Sequence, residues 1–507
     1  MRYNEIQICV SEDFMGERKK LVFQEAPPKD PLFEELLPSL NSHLALSAQQ
    51  NKLIEGDFEK AIAYYREHGF SDDRIRQLIS PERLGGFYAR PATVWFPLDN
   101  AAKIYPLSMK RGKMAIFRLS VYLKEAVVPE ILQMALTFTI KRFPVFATTL
   151  KKGFFWYYLD SAKRRFLVEK DRAVPCQPIS ISGSGSQSFR VLYYENRISL
   201  ELFHVLCDGT GGMIFLKTLT REYLRLLGNE ISADEMTWDV DEIPDPSETE
   251  NAFLRVEKQS SASGFMGKLA TQMSGKRTRL SPCQVLHFVM DTQKLREVSK
   301  ANGGTVTAYL LCLMFLANKF ATEEREGTIQ IQVPVNMRKY YDSRTVRNFS
   351  LYFSAALQLE EITTVEEMMP KIMEQIRSKG TKECMDEMMY AAVLLVKSLQ
   401  FVPVLLKKPV AEIVYGFLGD GIVSNTLSNL GLCTVPADME QFIDRFDFIL
   451  GGGSVQRAGC SVVSFGNKTV FSVSKYTADP SFEERLWKLL VEAGIPVDVE
   501  GSELDAS

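Results

Sequence analysis

Apolar and polar residues follow two different periods along the chain. Between Asp57 and Arg66 the apolar residues recur at helical spacing, and Gly69 supplies a C-terminal stop. Ser71 is placed to cap a second short helix. From Trp95 onward strand-like segments alternate with helix-like segments. The pattern therefore predicts a short helical region followed by an α/β fold built from mixed-sheet layers.

The first α/β region ends in a predicted hairpin and a long helix. Two apolar strands are separated only by Glu195, Asn196 and Arg197, a short polar segment that is typical of a turn. The helix that follows ends at Gly228. The predicted strands of this region are 114–122, 154–159, 189–194 and 198–204, and its predicted helices are 128–141 and 212–227.

A polar segment separates this region from a second one with the same rhythm. It is rich in serine and contains Pro244 and Pro246, so we interpret it as a crossover linker. The chain then divides into a helical accessory segment (1–88), an N-terminal half (89–228), the linker (229–282) and a C-terminal half (283–507). The predicted strands of the second half are 285–290, 329–335, one that ends at 357, 422–428, 446–450, 462–465 and 469–474, and its predicted helices are 307–319 and 481–493.

Composition excludes several classes of protein. The 507 residues carry a formal net charge of -3, whereas proteins that bind nucleic acid normally present a strongly basic face. The eight cysteines include no Cys-x-x-Cys pair, which is typical of reduced thiols. The N-terminus has no apolar stretch of the kind that a secretory signal needs. We expect a cytoplasmic protein without a nucleic-acid partner, and a monomer.

The most apolar tract extends from Met389 to Leu418. It is interrupted by charged residues and by Pro403 and Pro409, so it lacks the roughly 18 uninterrupted apolar residues of a membrane span. We therefore expect no transmembrane segment here. A buried amphipathic helix pair is our prediction for the tract, and a membrane-surface element or a roof over an apolar substrate tunnel is the alternative.

One histidine stands where a strand meets a glycine-rich loop. Strand alternation places His204 at the end of an apolar row. Asp208 and Gly209 follow, and further glycines permit a close backbone approach at the start of the next helix. A neutral imidazole is well suited to take the proton of an attacking alcohol or amine. Asp208 is too near in sequence to be presumed a relay partner, and we expect it to form a salt bridge with Arg338 or Arg347.

The segment from His204 to Gly209 resembles the His-x-x-x-Asp-Gly signature of the chloramphenicol acetyltransferase-like superfamily. That group includes alcohol acyltransferases, wax ester synthases, plant hydroxycinnamoyl-type transferases and condensation domains. Three further segments resemble parts of the same fold, and the opening segment 95–106 is similar to that of bacterial alcohol acetyltransferases. The three segments are Gly304–Leu310, Val333–Arg338 with Arg347–Phe349, and Ser428–Gly431.

The resemblance implies two similar α/β domains in a pseudo-twofold arrangement, with the site in a tunnel between them. It implies His204 as the general base, no covalent enzyme intermediate, and acyl-CoA as a cosubstrate rather than a bound cofactor. Ser428 and Asn429 are candidates for contacts to the oxyanion or substrate, although both residues equally fit a role in strand hydrogen bonding. The plant branch has a second motif, Asp-Phe-Gly-Trp-Gly, which this chain lacks.

Several functions other than acyl transfer to a hydroxyl are alternatives for this chain. A condensation-type enzyme would form an amide and take its acyl group from an acyl carrier protein. A binding protein would keep the fold without turnover, although an intact His204 and Asp208 argue against it. The absence of Gly-x-Ser-x-Gly argues against a serine hydrolase. The four histidines lack metal-ligand spacing, so we expect no metal site.

Overall fold

The computed structural model describes residues 29–90, 95–109, 114–171, 174–181, 186–261, 269–280, 282–407, 420–452 and 455–503, and the backbone alone of 6–9 and 22–25. The chain separates into two compact units, residues 1–90 and 91–507.

The first unit contains a strand pair and three helices. Strands β1 (Ile6–Cys9) and β2 (Val22–Glu25) are antiparallel. The helices are α1 (Pro31–His43), α2 (Ala48–Glu67) and α3 (Asp72–Ile79). Ser71 caps α3 by accepting from the amide of Arg74, as its sequence predicts. Helix α2 begins earlier than the apolar pattern indicates because Ser47 caps it.

A five-stranded sheet forms the first layer of the second unit. Helices α5 (Pro129–Thr139) and α6 (Gly209–Leu226) pack on it, and Phe146 stacks on Phe215 of α6 with ring centroids 4.4 Å apart. The predicted hairpin is confirmed, and Glu195 in its turn has a positive φ of 49°. The strand order is β14 (Ile443–Leu450), β4 (Ile116–Leu123), β9 (Arg197–Phe203), β8 (Phe189–Tyr194) and β7 (Val168–Lys170).

A small three-stranded sheet is built from chain segments that precede residue 168 in the sequence. Its order is β3 (Phe96–Pro97), β6 (Tyr157–Ser161) and β5 (Thr148–Lys152). The predicted strand at 154–159 begins only at Tyr157, because Phe154 and Phe155 occupy the turn that joins β5 to β6. The short helix α4 (Tyr105–Ser108) follows β3 in the chain.

A seven-stranded sheet forms the second layer. Its helices include α7 (Thr292–Ala301), the almost wholly buried α8 (Val306–Phe320), α9 (Val365–Lys379) and α11 (Ser481–Glu492). Strand β13 is parallel to both of its neighbours. The strand order is β12 (Ser350–Gln358), β11 (Thr328–Asn336), β13 (Asn425–Leu432), β15 (Ala458–Phe465), β16 (Lys468–Lys475), β10 (Gln284–Asp291) and β17 (Val497–Gly501).

The two layers share chain segments. Strand β14 lies beyond residue 283 in the sequence but completes the five-stranded sheet by pairing with β4, with Phe448 opposite Leu119. The predicted linker is also packed rather than free, because Arg142 forms a buried ion pair with Glu248 at 2.5 Å and lies over the ring of Trp238. The mixed α/β architecture predicted from the sequence is confirmed.

The tract from Met389 differs from its prediction. Helix α10 (Lys382–Ser398) buries Met385 and Met389, but Phe401 and Leu405 are 76% and 72% exposed. The prediction of a buried helix pair is therefore wrong for most of residues 394–406, although Val404 is buried, and 408–418 lie outside the described residues. In the described part of the chain no single helix has the length and apolarity of a membrane span, although α7 and α8, bent by 80°, pass that test as a pair.

Candidate active site

His204 directly follows β9 and is held by its backbone and by two aromatic rings. Its amide donates to the carbonyl of Ala115 at 2.8 Å. The ring of Tyr105 stacks on the imidazole with centroids 4.6 Å apart, and Phe117 meets it edge-on at 5.1 Å. These contacts place the imidazole at the end of the sheet in a largely apolar setting.

Asn348 binds both the ring and the backbone of His204. Its Oδ1 lies 2.8 Å from Nδ1 of the imidazole, and its Nδ2 donates to the His204 carbonyl at 3.0 Å. The same Nδ2 also donates to Oδ2 of Asp99 at 3.2 Å. Asp99, Asn348 and His204 therefore form a continuous hydrogen-bonded row.

The row defines the protonation of the imidazole. Because Asn348 Oδ1 can only accept a hydrogen bond, Nδ1 of His204 carries the proton. Nε2 then keeps its lone pair, and the hydrogen bonds described for the ring involve Nδ1 alone. Burial lowers the pKa of His204 below its usual value, with Asp208 and Asn348 opposing that shift. The geometry gives a neutral base whose free nitrogen is Nε2.

Asp208 fixes the backbone around the site, and its described hydrogen bonds go to groups other than the imidazole. Its Oδ1 accepts from the amide of Gly211 at 3.0 Å and caps α6, which begins three residues earlier than the sequence pattern predicts. Its Oδ2 accepts from Arg338 Nη1 at 2.9 Å and from the Phe349 amide at 2.8 Å. Asp208 thus ties the start of α6 to the chain segment that carries Asn348.

The two arginine candidates have different partners. Arg338 is the residue that forms an ion pair with Asp208. Arg347 instead lies 3.7 Å from Asp99 and donates to the carbonyl of Pro97 at 2.5 Å. Arg338 and Arg347 therefore each interact with a different carboxylate of the site.

The glycines after Asp208 permit close contact with the second layer. A Cβ on Gly211 would lie 1.8 Å from the carbonyl oxygen of Val346, and one on Gly209 would lie 2.9 Å from Cδ2 of Leu430. Backbone cannot move aside as readily as the tip of a leucine, so Gly211 is the stricter requirement.

Ser428 and Asn429 do not face the site together, because consecutive residues of a strand point to opposite sides. Asn429 donates to Thr307 Oγ1 at 3.0 Å and accepts from the Gly431 amide at 2.7 Å, so its amide is engaged beside α8. Strand β13 is irregular between Asn429 and Leu432, so its alternation does not carry from Ser428 to Leu430. An oxyanion contact by Ser428 or Asn429 stays a prediction.

Sequence reasoning assigned no role to Asp99, Asn348 or Tyr105. Asp99 and Asn348 both lie in segments that resemble parts of the superfamily fold, but nothing in their local pattern indicates that they meet. They are 249 residues apart in the chain. Among the described residues, no group of three or more His, Cys, Asp or Glu side chains is arranged to hold a metal ion.

Comparison with known proteins gives similarities of structure. TRI101 of F. graminearum, solved with coenzyme A and T-2 mycotoxin, is 9% identical with a TM-score of 0.56, and the match covers 80% of this chain and 99% of that one. The TRI3 trichothecene 15-O-acetyltransferase of Fusarium sporotrichioides is 12% identical with a TM-score of 0.52, covering 78% and 94%. The first condensation domain of the calcium-dependent antibiotic synthetase is 12% identical with a TM-score of 0.53, covering 79% and 96%.

No protein-family model and no curated protein matches the sequence. At identities this low, the structural similarities establish a shared fold, which extends over nearly the whole length of each matched chain.

Proposed function

We propose that this chain, which has the two-layer fold of the chloramphenicol acetyltransferase-like superfamily, transfers an acyl group from acyl-CoA to a hydroxyl group. The observation that carries the proposal is the 2.8 Å contact between Asn348 Oδ1 and Nδ1 of the buried His204, which assigns the proton to Nδ1 and leaves Nε2 as the basic nitrogen. A base of this kind is useful when the attacking group must lose a proton during the reaction.

The proton follows a closed path in this mechanism. Nε2 of His204 takes the hydroxyl proton as the acceptor oxygen bonds to the thioester carbonyl carbon. The tetrahedral intermediate then collapses, the carbon–sulfur bond breaks, and the departing thiolate receives the proton from Nε2. Ser428 is our candidate donor to the oxyanion, because the amide of Asn429 is engaged with Thr307 and with the amide of Gly431. No covalent bond to the enzyme is formed.

We propose a hydroxyl acceptor rather than an amine on chemical grounds. A neutral amine is already a good nucleophile, whereas an alcohol gains more from a base that removes its proton during attack. The low pKa of His204 keeps the base in its neutral form at physiological pH. Free acyl-CoA is the proposed donor, in keeping with the coenzyme A held by TRI101.

A second candidate is condensation with a carrier-bound acyl group. It is favoured by the similarity to a condensation domain, whose TM-score of 0.53 is close to that of the acyltransferases. In this case the donor would be a carrier-protein thioester and the acceptor an amine. The same base would serve, so donor and acceptor identity separate the two candidates.

The decisive experiment measures free-thiol release from short- to long-chain acyl-CoAs in the presence of pooled alcohols and pooled amines. We expect release that depends on an alcohol and that is lost in a folded His204→Ala variant. His68→Ala, which removes an exposed histidine of the first unit, is the control and should keep full activity. Release that requires an amine and a carrier-bound donor would favour condensation. No release from any donor, or release unaffected by His204→Ala, would contradict acyl transfer by this base.

A further inference from the structure

We infer that Asp99 and Asn348 are the positioning residues of His204, whereas the hydrogen bonds of Asp208 go to the surrounding backbone and to Arg338. The catalytic part of the inference, that these residues position a general base, rests on the proposed function. The structural part, the orientation and proton position of the imidazole, stands on the hydrogen-bonded row itself.

The amide of Asn348 has one acceptable orientation. Its Nδ2 faces two oxygens, the carboxylate of Asp99 and the carbonyl of His204. Exchanging the amide nitrogen and oxygen would set an oxygen against both of these acceptors and lose two hydrogen bonds. Oδ1 must therefore point at Nδ1 of His204, which fixes the tautomer.

Asp99 is itself held in place by donors. The amide of Ala102 donates to its Oδ1 at 2.7 Å, and Arg347 lies 3.7 Å from its Oδ2. The side chain is fully buried, so it cannot turn to solvent. A fixed acceptor at this position holds Asn348, and Asn348 in turn holds His204.

An amide between the carboxylate and the imidazole separates two effects that a direct aspartate would combine. A carboxylate in direct contact would fix the ring but would also favour the charged imidazolium and so raise its pKa. A neutral amide fixes the ring with less stabilisation of the charge. The arrangement therefore keeps Nδ1 protonated while leaving His204 neutral and ready to accept a proton at Nε2.

The test uses the full chain and the variants Asn348→Ala and Asp99→Asn. Hydrogen–deuterium exchange at the imidazole Cε1, read by mass spectrometry, gives a pKa for each histidine and needs no turnover. Both variants remove groups that favour the imidazolium, so we expect both to lower the pKa of His204. With a working substrate pair, we expect kcat to fall about 10²-fold with a smaller change in KM, because the base is no longer held in line.

Two control variants separate positioning from general damage. Asn318→Ala removes another buried asparagine, in α8, and should leave the pKa of His204 unchanged. Asp447→Asn alters the carboxylate 3.6 Å from His287 and should change the pKa of His287 only. A His204 pKa that is the same in wild type and in folded Asn348→Ala and Asp99→Asn would overturn the inference. If the pKa of His204 falls in both variants but no donor is ever turned over, the role of the hydrogen-bonded row is supported and the proposed function fails.

Discussion

At the level of single residues, the site is built from two carboxylates with separate tasks. Asp208 holds backbone and Arg338, whereas Asp99 holds the amide that contacts the imidazole. Sequence reasoning reached His204, Asp208 and the choice between two arginines because local spacing and residue type carry that information. It could not reach Asp99 or Asn348, since only the folded chain brings them to the histidine.

The pH dependence of turnover follows from the burial of His204. Burial lowers the pKa of His204, so the base becomes protonated only at pH values below the usual histidine range. We expect kcat/KM to be flat at neutral pH and to fall only below about pH 6.5, the ordinary pKa of histidine. Initial rates between about pH 5 and 8 measure this. An acid limb centred above pH 6.5 would contradict it.

The Asp208–Arg338 pair is expected to behave as one structural unit. Both side chains are nearly buried, at 5% and 11% exposure, so removing either leaves the other uncompensated. Asp208→Ala is expected to lower the free energy of unfolding by about 3–5 kcal/mol. The double variant Asp208→Ala with Arg338→Ala should cost clearly less than the sum of the two single variants. Denaturant unfolding measures all three, and full additivity would argue against coupling of the two residues.

At the level of elements, local signals predicted most of the helices and strands but not every boundary. Caps explain the longer helices, since Ser47 and Asp208 begin α2 and α6 earlier than the apolar periodicity does. The errors fall where apolar residues are exposed. The apolar pattern predicts a strand at Phe154 and a buried helix around Phe401, because hydrophobicity alone does not distinguish exposed from buried apolar residues.

The contact between α6 and the segment before β12 depends on one glycine. Gly211→Ala would place a methyl group against the Val346 carbonyl, and neither backbone can withdraw without moving the segment that carries Asn348. We expect the variant to lose stability by more than 1–3 kcal/mol, the usual range for overpacking, and to lose activity with it. Thermal unfolding and thiol release measure the two effects. Gly56→Ala, whose added Cβ meets nothing within 4 Å, is the control and should be neutral or stabilising.

At the level of the whole molecule, two successive α/β regions can be predicted from the sequence. The strand exchange, in which β14 of the second region completes the sheet of the first, cannot. The pattern of residues 446–450 indicates a strand, and nothing in that pattern says that its partner is β4 rather than a neighbour in the second sheet. Partner choice depends on long-range pairing that hydrophobic periodicity does not encode.

This exchange predicts that the two regions do not fold separately. A fragment of residues 91–282 lacks β14, so one side of β4 is left without its partner strand. We expect this fragment to aggregate when it is expressed alone and to become soluble when residues 283–507 are expressed with it. Residues 91–507 as one chain are the control. A soluble, cooperatively unfolding 91–282 fragment would show that β14 is dispensable.

Because β14 is synthesised long after β4, the first sheet stays incomplete for part of the time that the ribosome needs to make the chain. Tyr122 on β4 and Asp447 on β14 are hydrogen-bonded although 325 residues separate them. At about 5–20 residues per second, a ribosome needs roughly 15 to 65 seconds to make the intervening chain. During that interval the emerging β4 edge can pair with other nascent chains. Slower initiation or a chaperone that covers this edge should therefore raise the yield of soluble protein more than any change in the final stability of the fold.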